Sequence, residues 1–524
     1  MMQNEKPTIE SICEKSKALP QPESVVDNSE KKAQVGSFVI EMESNNDAIK
    51  EVEESASLGP DISVERKDVS QEVENKETCI EEKSAPTITG QTENGDNVSS
   101  TTEAPKEVTV EIQSDESGKN PPKRLSNDAV TSHTASLWKY NPIPAHPEPH
   151  DEYECLEAQY KGAKVIGASV RGKKHKHEST NRDDWFEATD FEDWTIVAVS
   201  DGAGSHRFSR IGARESCKAA TTYIKDELLK QTDNYDKYRE CLAKPFDSAD
   251  FGNACKCLAD VLQKSVLFAI GKVEEAFEQR KDKQEFIDDI GRPLKLTDFS
   301  GTFLISIVVP VVVNDKKETL ILSCQIGDGM IAAIDEDAPF ESASKLLCEP
   351  DSGSFSGETD FLVSPAMKNA NNLMTRTRIT RGSSKAVLMM SDGVADDYFP
   401  NETEVKRLYL DLCANGIIDT GAEVDKSISK KNIGIIKRIP EPIAYPWVND
   451  PEKTVAIHYV KKFEDAMGCS LEELWGKKEI FHYASLEIEG FEDATNKADK
   501  LKIWLDNYVE RGSFDDRTLV IVKL

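Results

Sequence analysis

"TIVAVSDGAGSHRFSRIGA" occupies Thr195 to Ala213. An apolar, β-branched run stops at an aspartate, glycines follow at 202 and 204, and from Ile211 apolar residues recur at helical spacing. A buried strand that ends in a lone carboxylate is costly. "AVLMMSDGVAD" (Ala386 to Asp396) repeats the arrangement: a strand, then Ser-Asp-Gly. Two such strand ends in one chain imply that the carboxylates are wanted in one place.

The rest of the chain narrows what that place is for. It has 524 residues and a formal net charge of -30, from 95 acidic and 65 basic residues. Such a balance argues against nucleic-acid binding through general charge attraction. No apolar run approaches the roughly 20 residues of a membrane span, so no membrane partner is expected. The opening "MMQNEKPTIESICEKSK" lacks the apolar core of a secretory signal. The 11 cysteines are scattered and odd in number, which fits reduced thiols and a cytoplasmic location. "PPKRL" (Pro121 to Leu125) is a weak basic cluster of the kind a nuclear signal uses. Cys255 and Cys257 form a lone C-x-C with no second pair to complete zinc geometry.

Residues 1–140 read as a disordered acidic tail. They are rich in Glu, Ser, Thr, Asn and Lys, and up to Ser126 their only aromatic is Phe38. Such a segment cannot bury enough apolar surface to offset the entropy of ordering it. Residues 141–153, "NPIPAHPEPHDEY", read as a proline-rich linker, and 154–524 as the folded domain. Within it, "AKVIGASV", "DWTIVAVS", "GTFLISIVVPVVV", "ETLILSCQIG", "MIAAID", "KAVLMMS" and "RTLVIVKL" are short β-branched runs bounded by Gly, Asp or Asn, which predicts strands. Helical periodicity marks Ile211 to Leu229 and Ala254 to Phe277. Grouped strands with a long helical block between them predict an α+β fold with largely antiparallel sheets. A helical insertion is expected at about 400–512.

Further carboxylates sit at the edges of apolar strands. Asp328 lies in "QIGDGM", the turn of an expected hairpin; Asp515 precedes the last strand; Asp183 and Asp184 lie in "STNRDDWFEA". Converging carboxylates repel and take up protons, a penalty that hard divalent cations with oxygen ligands remove. A single Asp-Gly pair is also an ordinary turn signal; the set, each member at the edge of an apolar strand, favours a shared cation. Other chemistries lack their marks. There is no G-x-x-x-x-G-K-[ST] loop and no G-x-S-x-G elbow, "LTDFSG" has no H-R-D companion, "DGAGSHRF" lacks the third glycine of a dinucleotide loop, and "VSDGAG" lacks the Asp-x-Asp of a phosphoaspartyl enzyme.

The order strand-D-G-x-G, S-G-T, G-D-G, S-D-G-x-x-D and D-D-x-T before a terminal strand resembles the metal-dependent serine/threonine protein phosphatases of the 2C type, the PPM family. The resemblance runs from Ala163 to Leu524. "SGETDFLV" (Ser356 to Val363) and the pairing of "GAGSH" with "IGA" resemble a divergent, bacterial-style branch. It implies a sandwich of two antiparallel β-sheets flanked by α-helices, and a monomer that hydrolyses phosphoserine or phosphothreonine in a phosphorylated protein substrate. It also implies two Mn²⁺ or Mg²⁺ ions, with a third, weaker site. Carried over by motif, Asp201 would bridge the two metals, the Gly202 carbonyl would bind one, and Asp392 and Asp515 would complete the other's shell. Asp183 would hold a metal-bound water, and Asp328 with Asp392 would serve the third site. A water activated between two cations would attack phosphorus in line, with no covalent enzyme intermediate.

This chain departs from the family pattern in two places. Ala203 stands where the common pattern has a histidine that serves as proton donor, and His175 lies near the position where that pattern has an arginine shortly before the early Asp. His175 and His206 are the candidates to bind phosphate or supply the proton. The basic cluster Arg171, Lys173, Lys174 and Lys176 is either a phosphate-attracting patch or a plain solvated loop. The rival to an enzyme is a pseudophosphatase that binds a phosphoprotein without catalysis.

Overall fold

The computed structural model of the protein describes residues 37–38, 139–348, 360–398, 401–419, 470–476, 494–506 and 514–524. "PPKRL", most of the tail and most of the 400–512 segment lie outside the described residues. No helix among the described residues is long and apolar enough to cross a membrane.

Two six-stranded antiparallel sheets lie face to face. The strands are β1 (Ser37–Phe38), β2 (Tyr153–Gln159), β3 (Lys164–Val170), β4 (Trp185–Phe191), β5 (Trp194–Ser200), β6 (Phe303–Val313), β7 (Lys316–Ile326), β8 (Met330–Ile334), β9 (Ser344–Leu346), β10 (Thr377–Gly382), β11 (Ala386–Met390) and β12 (Arg517–Lys523). The first sheet runs β1-β10-β7-β6-β5-β4 and the second β2-β3-β12-β11-β8-β9. Alternation along β5 shows how the layers form. Val197 and Val199 join Val165, Leu304, Val387, Met389 and Val520 in the core between the sheets, while Ile196 and Ala198 face the helices outside. The tail contributes one short element, as Ser37 pairs opposite Thr380 at the β10 edge.

The helices are α1 (Lys173–Glu178), α2 (Ser209–Leu229), α3 (Tyr235–Leu242), α4 (Ala249–Glu278), α5 (Gln284–Ile290), α6 (Ala370–Thr375), α7 (Asp392–Ala395), α8 (Asn401–Ala414), α9 (Leu471–Trp475) and α10 (Lys497–Asp506). The apolar stripes of α2 and α4 cover the first sheet: Ile211, Cys217, Ala220 and Ile224 on one, Leu258, Leu262, Val266 and Ile270 on the other. The second sheet is covered by Leu408, Tyr409 and Leu412 of α8, Trp475 of α9, and Leu501, Trp504 and Leu505 of α10. The described helices of the expected insertion are therefore a core layer, because each buries an apolar stripe the sheet needs covered.

Two further expectations are corrected. β7 and β8 are not a hairpin: they belong to different sheets, and Gly327-Asp328-Gly329 is the crossover, with φ of 92° and 93° at its glycines. The true hairpin is β6–β7, closed by Asn314 and Asp315 at φ 49° and 61°, the positive pair a two-residue turn requires.

The 141–153 segment docks on the domain instead of hanging as a loose linker. Glu148 takes φ 47°. Its carboxylate accepts from Arg280 Nε (2.7 Å) and Nη2 (2.9 Å) and from Arg214 Nη2 (2.9 Å). Its carbonyl and that of Pro147 accept from the buried guanidinium of Arg210 at 3.0 and 2.5 Å. His146 closes the strap against Asp289 and Arg207. A chain starting at Asn141 lacks the two-residue β1 but keeps this strap, and is expected to unfold at only a slightly lower urea concentration than the full protein. One starting at Asp151 is expected to lose about 3 kcal/mol or more, because Arg210, Arg214 and Arg280 lose the Glu148 carboxylate and the Pro147 and Glu148 carbonyls as acceptors. Paired urea curves check it.

Candidate metal centre

β5 delivers Asp201 to the edge of the sandwich, and the turn before β6 fixes it there. Ser200 Oγ donates to the Thr302 carbonyl (2.6 Å), the Asp201 amide donates to Thr302 Oγ1 (3.0 Å), and the Thr302 amide donates to the Asp201 carbonyl (2.8 Å). The Ser-Gly-Thr motif thus acts as a splint for the first Asp-Gly, with Gly202 and Gly301 paired as a β-bridge. A Cβ on Gly202 would stand 2.5 Å from the Asp183 carbonyl, so only glycine lets the early Asp come this close.

The second sheet supplies the opposite wall. β11 is followed by Ser391, whose amide donates to the Thr518 carbonyl and whose hydroxyl accepts the Thr518 amide at 3.1 Å each, so Asp392 opens α7 beside the residues just before β12. A Cβ on Gly393 would lie 2.0 Å from the Asp516 carbonyl. Asp515 is about half exposed, at 48%. Asp516 is buried, and its carboxylate accepts from the amides of Gly172 (2.6 Å) and Asp183 (2.5 Å) and faces His175 Nδ1 at 2.9 Å. The other ring nitrogen of His175, Nε2, lies 3.2 Å from Asp515 Oδ1.

Charge crowding is the dominant electrostatic fact. Burial pushes Asp201 well above the usual carboxylate range, and Asp392, Asp184 and Asp515 add to it. Burial raises Asp392 to about 6; its hydrogen bond with Asp201 opposes, while Asp328, Asp515 and Asp396 reinforce. Burial raises Asp183 to about 7 against the charge of His175, with Asp516 adding and Arg210 subtracting. Asp184 is also held far up, by burial and then by Asp516. Asp516 goes the other way: burial alone would raise it, but His175 and the two amides hold it below the ordinary range. Burial works against charge on His175, yet Asp516, Asp183 and Asp515 carry its pKa up to about 10.

The structure therefore brings Asp183, Asp201, Gly202, Asp392 and Asp515 together, with Asp328 close enough to perturb Asp392. His175 joins them. His206 does not: its ring lies against Phe361 (5.6 Å between centroids), its Nδ1 meets Ser205 Oγ, and the charges acting on it are Asp298 and Arg292. The basic cluster is neither patch nor loop. Arg171 is buried on Glu152 and two carbonyls, Lys173 is buried, and Lys176 pairs with Asp506; Lys174 alone of the four is exposed. Asp184 is among the strand-edge carboxylates legible in the sequence, whereas Asp516 is not among the candidates. The signal was present in the doublets "RDDW" and "FDDR": when one residue of a doublet points out of a strand end, the next points in.

A divalent cation fits this donor set. The clustered carboxylates are all oxygen donors that repel one another, and Asp392 Oδ1 is buried with no hydrogen-bond partner among the described residues. His175, Asp515 and Asp516 also offer ligand atoms within 4.8 Å of one another.

Residues 171–419 match the family model described as "Protein phosphatase 2C". Over that span the chain is similar to the protein phosphatase 2C family. The family's members use divalent metals and act on phosphoproteins, and the matched span holds the Asp183, Asp201, Asp328 and Asp392 motifs. No curated protein matches the chain. Among solved structures, RsbX in complex with magnesium is similar at 10% identity and TM-score 0.25, covering 71% of this chain and 100% of that one. A phosphatase from a pathogenic strain of Toxoplasma gondii is similar at 12% identity and TM-score 0.31, covering 71% of this chain and 95% of its own. The SiaA-PP2C domain of Pseudomonas aeruginosa is similar at 9% and 0.23, covering 71% and 85%.

Proposed function

We propose that this protein phosphatase 2C-like chain is a Mn²⁺- or Mg²⁺-dependent hydrolase of phosphoserine and phosphothreonine in proteins. The observation that carries the reading is the convergence of Asp201, Asp392, Asp183 and Asp515 at one edge of the sandwich, each drawn from a separate motif. Asp201, the Gly202 carbonyl, Asp392 and Asp515 would hold two cations, Asp183 would add charge from behind Gly202, and Asp328 with Asp392 would serve a weaker third. Bound there, the cations supply Lewis acidity, neutralising the carboxylates and making water nucleophilic near neutral pH.

The chain's own residues do the rest. Asp201 is splinted by Thr302 and so keeps its place as charge builds at the centre. His175 Nε2 lies beneath the D-G-A-G loop, 3.8 Å from where a Gly204 Cβ would be, which supports His175 over His206 as the group that contacts a phosphoryl oxygen or protonates the leaving group. The second reading, a phosphoprotein-binding pseudophosphatase, draws on Ala203 and on the outward position of His206. Hydrolysis of p-nitrophenyl phosphate and of a phosphothreonine peptide, each in EDTA and after Mn²⁺ is restored, separates the two. Turnover is expected to vanish in EDTA and return with Mn²⁺. Undiminished turnover in EDTA would overturn the metal dependence, and Mn²⁺ binding with no turnover would favour the pseudophosphatase.

A further inference from the structure

Asp516 gathers contacts that none of the ligand candidates has. Its side chain is 2% exposed. Oδ1 accepts the Gly172 amide at 2.6 Å and faces His175 Nδ1 at 2.9 Å, and Oδ2 accepts the Asp183 amide at 2.5 Å. These two amides and the His175 ring come from one excursion of chain between β3 and β4 that contains only the six-residue α1. The excursion is also tied to the end of the chain by the Lys174 amide on the Phe514 carbonyl, 2.8 Å, and by Thr518 Oγ1 donating to Asp184 Oδ2, 2.7 Å. The carboxylate closes that excursion onto the residues before β12. Its own carbonyl is the surface on which Gly393 rests. One residue therefore touches the main chain of Asp183, neighbours Asp515, abuts the turn that carries Asp392, and aims His175.

We propose that Asp516 is a positioning residue of the centre: its carboxylate fixes the main chain at Asp183 and turns the His175 ring so that Nε2 faces Asp515 and the D-G-A-G loop. The inference rests on the phosphatase reading and deepens it. Each carboxylate oxygen of Asp516 accepts one main-chain amide, and Oδ1 also pairs with His175 Nδ1 at 2.9 Å, so both oxygens are engaged by the protein and the residue serves behind the ligand candidates. An amide could not replace it. Asparagine has one acceptor oxygen, and whichever way it turned, its NH₂ would face the amide of Gly172 or that of Asp183. Partners of this kind, which orient a ligand without being one, are worth roughly 10–100-fold in metal affinity or activity.

The test uses the full chain. Wild type, Asp516→Asn and His175→Gln are compared by Mn²⁺ calorimetry without substrate, by p-nitrophenyl phosphate turnover at saturating Mn²⁺, and by thermal unfolding in EDTA. Asp516→Asn is expected to bind the same number of Mn²⁺ ions about 10-fold or more weakly, with turnover reduced at saturation. His175→Gln keeps an N–H for Asp516 but loses Nε2, so turnover is expected to fall while Mn²⁺ affinity stays within a few-fold of wild type. Loss of one Mn²⁺ equivalent in Asp516→Asn would make Asp516 a ligand and overturn the inference. A lower melting temperature with unchanged Mn²⁺ affinity and turnover would make it merely structural, which also overturns it. If Asp516→Asn does not fold, wild-type turnover in His175→Gln overturns the proposed aim of the ring, and reduced turnover there supports it. Wild-type protein that neither binds Mn²⁺ nor turns over fails the phosphatase reading itself, an outcome distinct from all of these.

Discussion

Asp201→Asn is expected to lower turnover by roughly 100-fold or more, beyond what an outer partner of a ligand costs, while the metal-free protein becomes more stable. The two effects share one cause. Asp201 sits among Asp392, Asp184 and Asp515 with its carboxyl pushed well up, so replacing it removes repulsion that a proton or a cation would otherwise have to relieve. The same crowding sets a pH dependence. Asp392 at about 6 and Asp183 at about 7 bind protons more tightly in the folded chain than in the unfolded one. Their contribution is fully present below the unfolded value near 4 and is lost as pH rises through about 7. Metal-free protein should therefore lose stability between pH 4 and 7, with a shallower slope in Asp392→Asn. Added Mn²⁺ should raise the wild-type melting temperature by mass action, and Asp201→Asn should lose that response. Thermal shifts across pH, with and without Mn²⁺, check all three. Near-wild-type turnover in Asp201→Asn would defeat the two-cation reading.

Gly393→Ala is expected to do comparable damage by geometry alone. The added Cβ would stand 2.0 Å from the Asp516 carbonyl and 3.1 Å from its carbon. The obstacle is main chain, so α7 or the start of β12 must shift, and Asp392 and Asp515 move apart with them. Turnover should fall to the level of a ligand mutant, and stability should drop by about 1–3 kcal/mol, the usual cost of overpacking. A control is at hand in Gly252, where a Cβ meets nothing within 4 Å: Gly252→Ala should leave turnover intact. Equal turnover in the two variants would show that the close approach at Gly393 does not matter.

What the sequence reveals depends on whether a residue's environment is local. β3, β5, β6 and β11 are legible because both faces are buried, so the strands are nearly continuous β-branched or apolar runs. β10, "TRITRG", is not. Its Arg381 is buried against the rings of Phe246 and Phe251 and the carbonyls of Leu242 and Lys244, a solution visible only once the segment around α3 has folded back. β2, "YECLEAQ", lies at a sheet edge with polar residues toward solvent. A glycine-flanked Asp suits a hairpin and a sheet crossover equally well, so the β7–β8 connection is not legible from its own residues. At the centre, Asp201 and Asp392 are legible as charges that interrupt apolar strands. Asp516 is hidden, since it stands beside another aspartate and its work is done by contacts from residues remote in sequence.

The crossover at Gly327-Asp328-Gly329 is where the chain leaves one sheet for the other, and the ligand candidates divide the same way: Asp201 belongs to the first sheet, Asp392 and Asp515 to the second. On the proposed function, a cation held among them is a rivet through both halves of the sandwich. It would close loops hundreds of residues long, and closing long loops removes the most freedom from an unfolded chain. Protection from hydrogen exchange should then rise across both sheets together when Mn²⁺ is supplied, and the lifetime of the folded protein would follow the metal supply of its surroundings.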